Sequence, residues 1–314
     1  MDNHTIPVIY LSSDIGWEND FIRYELFPKS RFYNITHPEA TWYFDHGTDS
    51  FQEYWDKHEI SPETCAIVFS TNWIDSIKIN WLVQKMKPMI TIMLSDEWGQ
   101  DTHYNDISRH TKLLIRHYHH AHHNLSQYTN VACAPLGYTN NMIRGAFHTL
   151  SFPKKSMDRK YVWSFIGNVG WLCGNDREIM RDRFTSSELG EYVFRSGVDK
   201  PEMYEIYKES VFVPVGKGNH SHNCFRIYEA IISGALPVIA GPRAELDVCF
   251  FYEKNHPFIL VETWDDAIIE CRRLLKNPDE LHEKQVGAWN WWKRRIADLK
   301  CAIDGCLEQN SDFC

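Results

Sequence analysis

Short apolar runs alternate with amphipathic stretches along nearly the whole chain, so strands of period two and helices of period 3.6 are expected to take turns. In the first half, IPVIYLSSD (6–14) is a β-rich run ending in polar residues, followed by an amphipathic stretch from Glu18 to Phe27. ATWYFDHG, CAIVFSTNW and MITIMLSDEWG repeat the strand pattern. Between the last two, Ile74, Ile77, Trp81, Leu82 and Met86 recur at helical spacing and Pro88 ends the helix. KLLIRHY and NVACAPLGY add two further strands. These runs are continuously apolar rather than alternating, as expected of a parallel sheet with helices on both faces. A first doubly wound α/β domain over residues 1–145 follows.

Residues 146–160 lose the periodicity, carry Pro153 and a basic cluster, and are expected to be a connector. The pattern then restarts. YVWSFIG, EYVFRSG, VFVPVG, LPVIAG and HPFILVE are expected strands. Helices are expected from Asp176, over PEMYEIYKES, from Asn223 to Ser233 and over TWDDAIIECRRLLKN. A last long helix carries Trp289, Trp292, Ile296, Leu299, Ile303 and Cys306 as one apolar stripe. The expectation is a second parallel-sheet domain over 161–314. Two such Rossmann-like domains facing a cleft would place ligands at the carboxyl ends of both sheets.

Composition narrows the function. A net charge of -9 argues against a duplex nucleic-acid or anionic membrane partner. The chain has no run of about 18 apolar residues and no secretion signal at its start. Nine scattered cysteines without a C-x-x-C pair fit reduced thiols in a cytosolic compartment. The richest segment is VPVGKGNHSHNCFRIYEAIISGALPVIAG (213–241), a strand, a glycine-containing loop, a helix and a strand. Gly216, Lys217 and Gly218 offer backbone amides to an anion, with a helix amino terminus behind them. Arg226 is placed to bind a diphosphate and Glu229 to accept hydrogen bonds from ribose hydroxyls. The competing reading is an (i, i+3) ion pair on a solvated helix face.

The run from Ser221 to Val238, with Arg226, Glu229, Ala230, Gly234, Pro237 and Val238, resembles the donor-binding signature of exostosin-like glycosyltransferases. KLLIRHY, APLGY and YVWSFIGNVG resemble other pieces of that family in the same order. Cys224 and Phe225 stand where relatives often carry a serine, and Ser221 is the candidate to replace it. The resemblance implies the two-domain GT-B fold, with Arg226 on the donor diphosphate and Glu229 on the ribose. It also implies Gly167 and Asn168 beside the sugar or phosphates, and Arg195 is a candidate for the base. It further implies a UDP-sugar donor, with UDP-xylose as first choice, a glycan acceptor and no obligatory metal. Eukaryotic members carry an amino-terminal anchor, so a chain opening on its first strand points to a cytosolic enzyme of bacterial or viral origin.

Inverting transfer needs a base for the acceptor hydroxyl. Asp96 or Glu97, with Trp98 beside them to stack on a sugar, comes first and Asp14 second; Asp45 with His46 and Asp75 are further strand-end candidates. Capping is the ordinary alternative for Asp96 and Asp14. Arg116 is a candidate to reach the phosphates or to fix the catalytic carboxylate. HYHHAHH (117–123) is expected to be a polar segment rather than a metal site. A non-catalytic sugar- or nucleotide-binding protein and a nucleotide-sugar epimerase are the alternatives from other classes.

Overall fold

The computed structural model describes residues 6–11, 17–70, 76–94, 96–99, 104–120, 128–152, 154–170, 174–250 and 256–308. They divide into two compact units, Met1–Pro135 with Ile296–Cys314, and Leu136–Arg295. No helix among the described residues is long and apolar enough to cross a membrane.

The first unit holds β1 (Pro7–Leu11), α1 (Asn19–Phe21, running into a π-turn at Ile22–Leu26), β2 (Arg31–Ile35), α2 (His37–His46) and α3 (Thr48–His58). β3 (Ala66–Ser70), α4 (Ser76–Met86), β4 (Ile90–Leu94), α5 (Tyr104–Ser108), β5 (Leu113–Arg116) and β6 (Val131–Cys133) follow. Its sheet is wholly parallel in the order β2-β1-β3-β4-β5-β6, with Val8 level with Ala66 and Ile90 level with Leu113. Phe51, Trp55, Ile67, Phe69 and Leu82 form the core on one face. Two expectations are corrected here. ATWYFDHG lies mostly in α2 rather than in a strand, because Thr36 and Glu39 close a capping box ahead of it and Pro38 sits in its first turn. The second strand is instead RFYNI, an edge strand whose alternating exposure hid it from a search for apolar runs.

The second unit holds β7 (Tyr161–Ile166), α6 (Asp176–Thr185), β8 (Tyr192–Arg195), α7 (Lys200–Lys208), β9 (Ser210–Pro214) and α8 (Phe225–Ile232). β10 (Leu236–Ala240), α9 (Arg243–Cys249), β11 (Ile259–Val261), α10 (Trp264–Leu275) and the start of α11 (Pro278–Glu308) complete it. The sheet is parallel, in the order β11-β10-β9-β7-β8. The chain leaves β7 for one side and returns through β9 on the other, so the topological switch point lies between those two strands.

The division differs from the expected boundaries at 145 and 161. Residues from Leu136 onward already belong to the second unit: Thr139 bonds to Glu229, and Phe147 packs on Trp289 with ring centroids 4.3 Å apart. The expected connector is likewise packed, with Arg159 buried and donating to the Ser210 carbonyl at 2.7 Å. Along α11 the stripe is buried at Trp289, Trp292, Ile296, Leu299 and Ile303, and from Ile296 the helix counts with the first unit.

Candidate functional site

The switch point of the second sheet gathers most of the expected donor residues. Gly167 directly follows β7, Gly216 follows β9 by one residue, and α8 opens after the loop that Gly216 begins. α8 starts from Cys224 in an extended conformation without a side-chain cap and ends at Gly234, whose φ of +72° is the left-handed turn that glycine favours. Asn223, Glu229 and Ser233 are buried together with Ile227, Tyr228 and Ile231, so Glu229 does not lie on a solvated helix face.

Arg226 and Glu229 do not serve as each other's partner. The Arg226 guanidinium donates to the Ile166 carbonyl through Nε at 3.2 Å and Nη2 at 3.0 Å, and lies 4.5 Å above the Phe165 ring. It is pinned over the end of β7 by a hydrogen-bonded carbonyl and a cation–π contact. Burial opposes its charge, but Tyr207, Cys224 and Glu229 more than offset that and hold it above the ordinary arginine value. Tyr207, whose hydroxyl accepts from the Ile166 N–H, is pushed up to about 12 by burial.

A Cβ on Gly167 would fall on the Arg226 Nη2, so only glycine leaves the guanidinium this place. Glu229, 3% exposed, accepts from Lys200 Nζ at 3.2 Å and from the Thr139 hydroxyl. A buried carboxylate needs such donors.

The remaining donor candidates are placed as follows. The Lys217 N–H donates to Asp176 at 2.7 Å and the Gly218 N–H to the Ser221 carbonyl at 2.7 Å, so these two amides of the glycine loop are spent inside the protein. Lys217 Nζ pairs with Glu245 at 2.9 Å. Gly216 lies against Arg177, where a Cβ would meet the Arg177 side chain at 2.6 Å. The Asn168 carbonyl accepts from Arg177 at 3.0 Å. Ser221 Oγ accepts from the Asn223 N–H at 3.0 Å, a local turn ahead of α8. Arg195 points its guanidinium to Glu202 in an exposed pair at 2.8 Å, while its carbonyl receives the Gly167 N–H.

In the first unit, Arg116, the last residue of β5, and Asp96, two residues past β4, form a buried ion pair, Nη2 to Oδ2 2.6 Å. Asp96 adopts φ +55°, a left-handed conformation that aspartate tolerates better than most residues. Glu97 is half-buried beside it, and Asp45 sits at the end of α2, paired with Lys78. Asp14 and Asp75 lie outside the described residues. Among the described residues no three His, Cys, Asp or Glu side chains come together as a metal-binding group.

Sequence reasoning missed Lys200, Thr139 and Phe165 in the second unit, and Glu18 and His117 in the first. Lys200 alone had a signal, since it opens a helix directly after β8. Glu18 is buried and pushed up to about 7 by that burial, and His117, whose Nδ1 lies 3.9 Å from the Glu18 carboxylate, is pushed down to about 3 by burial and by Arg116. Near pH 6 both are therefore mainly uncharged, and the contact is not an ion pair.

Comparison with solved structures supplies the wider frame. HepE from Anabaena, solved with UDP and glucose, superposes with a TM-score of 0.58 over 97% of this chain and 100% of its own, at 10% identity. This is the GT-B fold. An alpha-glucosyltransferase solved with UDP and a 13-mer DNA superposes with a TM-score of 0.53, covering 98% of this chain and 99% of that one, at 8% identity. No protein-family model matches the chain, and no curated protein sequence does. Likeness at these identities is likeness of fold, so the site residues have to carry the functional argument.

Proposed function

We propose that the protein is a glycosyltransferase that moves a sugar from a UDP-sugar to a hydroxyl of a glycan acceptor. The observation that carries this reading is the separate anchoring of Arg226 and Glu229 at the switch point of the second sheet. A cation held over the end of β7, with a buried carboxylate three residues further along the same helix, matches a diphosphate beside a ribose. The exostosin-like resemblance of the Ser221–Val238 motif and the UDP-containing structures that share the fold support the same donor. The resemblance favours xylose, and UDP-glucose is the natural comparison.

The reaction is direct displacement with inversion. The acceptor oxygen forms its bond to the anomeric carbon as the bond from that carbon to the diphosphate oxygen breaks. The proton passes to a carboxylate that follows β1 or β4, Asp14, Asp96 or Glu97, and the electron pair leaves on UDP. Arg226, with Lys217 and the start of α8, takes up the charge gathering on the diphosphate, so no metal is obligatory.

Incubation with UDP-xylose, UDP-glucose and an oligosaccharide panel tests the reading. It predicts UDP release that depends on acceptor, is indifferent to chelator, and yields a new β-glycoside from these α-linked donors. Tight nucleotide binding without UDP release would favour the binding-protein alternative, and conversion of the sugar without UDP release would favour the epimerase.

A further inference from the structure

Trp17 and Trp98 leave 55% and 51% of their surface exposed, whereas Trp55, Trp163 and Trp292 are fully buried. Single exposed aromatics are ordinary on a protein surface. These two are set apart by their setting. Each is next to, or two residues from, a buried carboxylate, Glu18 at 5% exposure and Asp96 at 9%. Each also follows the carboxyl end of a strand in the same parallel sheet, Trp17 after β1 and Trp98 after β4.

The switch point of that sheet lies between β1 and β3, where ligands of doubly wound sheets bind, so the connection leaving β1 is the expected place for a ligand contact. The same edge is tied together by side chains. Glu18 reaches from the β1 connection to His117 beyond β5, and Asp96 beyond β4 holds Arg116. Among the described residues neither ring nitrogen of the buried His117 has a hydrogen-bond partner, nor does the buried Tyr10 hydroxyl on β1.

We infer that Trp17 and Trp98 form the acceptor subsite for an uncharged sugar ring, with its apolar face on the indoles and its hydroxyls turned toward Glu97. This deepens the proposed function and rests on it. A sugar presents both an apolar C–H face and hydroxyls, which suits indole beside carboxylate. A nucleic acid would bring phosphates to an edge where the buried Arg116 is already committed to Asp96, on a chain of net charge -9.

The test is calorimetric titration of the full chain, in the presence of UDP, with xylotetraose, cellotetraose and a 13-nucleotide DNA. It uses the natural chain, Trp17→Ala, Trp98→Ala and Trp17→Phe, with thermal stabilisation by UDP measured on the same samples. At least one saccharide should bind, each alanine variant should weaken it about tenfold, and Trp17→Phe should retain most of the affinity. UDP stabilisation should be equal in all four proteins. Equal saccharide affinity in the alanine variants overturns the subsite, as does binding of DNA in place of saccharide. No saccharide binding up to tens of millimolar, with UDP stabilisation intact, also overturns it. Loss of UDP stabilisation in the natural chain contradicts the donor-site reading instead.

Discussion

The two sheets share one strand order, 2-1-3-4-5 counted from the first strand of each, yet their carboxyl-terminal edges differ in how they handle buried polarity. In the second unit the charged groups of the candidate site have protein partners. Lys200 and Thr139 hold Glu229, the Ile166 carbonyl holds Arg226, and Glu245 holds Lys217. In the first unit Glu18 and His117 lie 3.9 Å apart, and the imidazole has no hydrogen-bond partner among the described residues. At that contact burial suppresses charge instead of pairing it, while Arg116 and Asp96 on the same edge form a closed buried ion pair. The lesson is that one topology supports two kinds of site. One is an ion-paired cradle suited to the proposed charged donor, and the other combines an uncharged buried contact, a closed ion pair and exposed indoles, suited to the proposed neutral acceptor.

The comparison breaks most visibly at Arg226. Arg226→Ala should lower kcat/KM for the donor by about a thousandfold, as expected for loss of a group that stabilises the leaving diphosphate, and steady-state kinetics would show it.

Next in size is the pH response of the first unit. The ordinary carboxylate value is 4.5 and the folded value of Glu18 about 7, so within that window the folded protein keeps a proton the unfolded chain has released. Stability from this group therefore falls as pH rises from about 4.5 to 7. His117, at about 3 against an ordinary 6.5, works the other way and adds stability as pH rises from about 3 to 6.5. Glu18→Gln removes the falling limb, and urea denaturation at pH 8 should show it more stable than the natural chain by about 2 kcal/mol.

Gly167→Ala should cost about 1 kcal/mol of stability, since the guanidinium beneath the new Cβ can give way, but should weaken UDP binding about tenfold because that guanidinium moves. The smallest effect is at Arg195, whose exposed pair with Glu202 contributes roughly 0.5 kcal/mol or less. Arg195→Ala should leave UDP affinity unchanged, and a clear loss would instead support a base-binding role for this residue at the end of β8.

The βαβ alternation of both units was legible because parallel strands buried on two faces are written as unbroken apolar runs. What escaped was what those runs do not encode. RFYNI is an edge strand with two of its five positions exposed, and the aromatic run after Ala40 was turned into a helix by a capping box just ahead of it. The motif residues Arg226 and Glu229 were visible from their spacing on one helix. Their partners Thr139 and Lys200 lie 90 and 29 positions from Glu229, in other elements, and no local pattern links them. The glycine loop was legible as a turn, but its amides at Lys217 and Gly218 are committed to Asp176 and Ser221, which spacing does not reveal. Glu18 had no signal, because burial rather than a motif sets its chemistry.

The most direct test of the donor site is thermal stabilisation by UDP, compared with GDP, ADP and CMP, for the natural chain and Arg226→Ala. A bound nucleotide raises the melting temperature by mass action. A shift selective for UDP that disappears in a folded Arg226→Ala is the predicted result. No shift with any nucleotide, or an equal UDP shift in both proteins, would contradict a donor site at the end of β7.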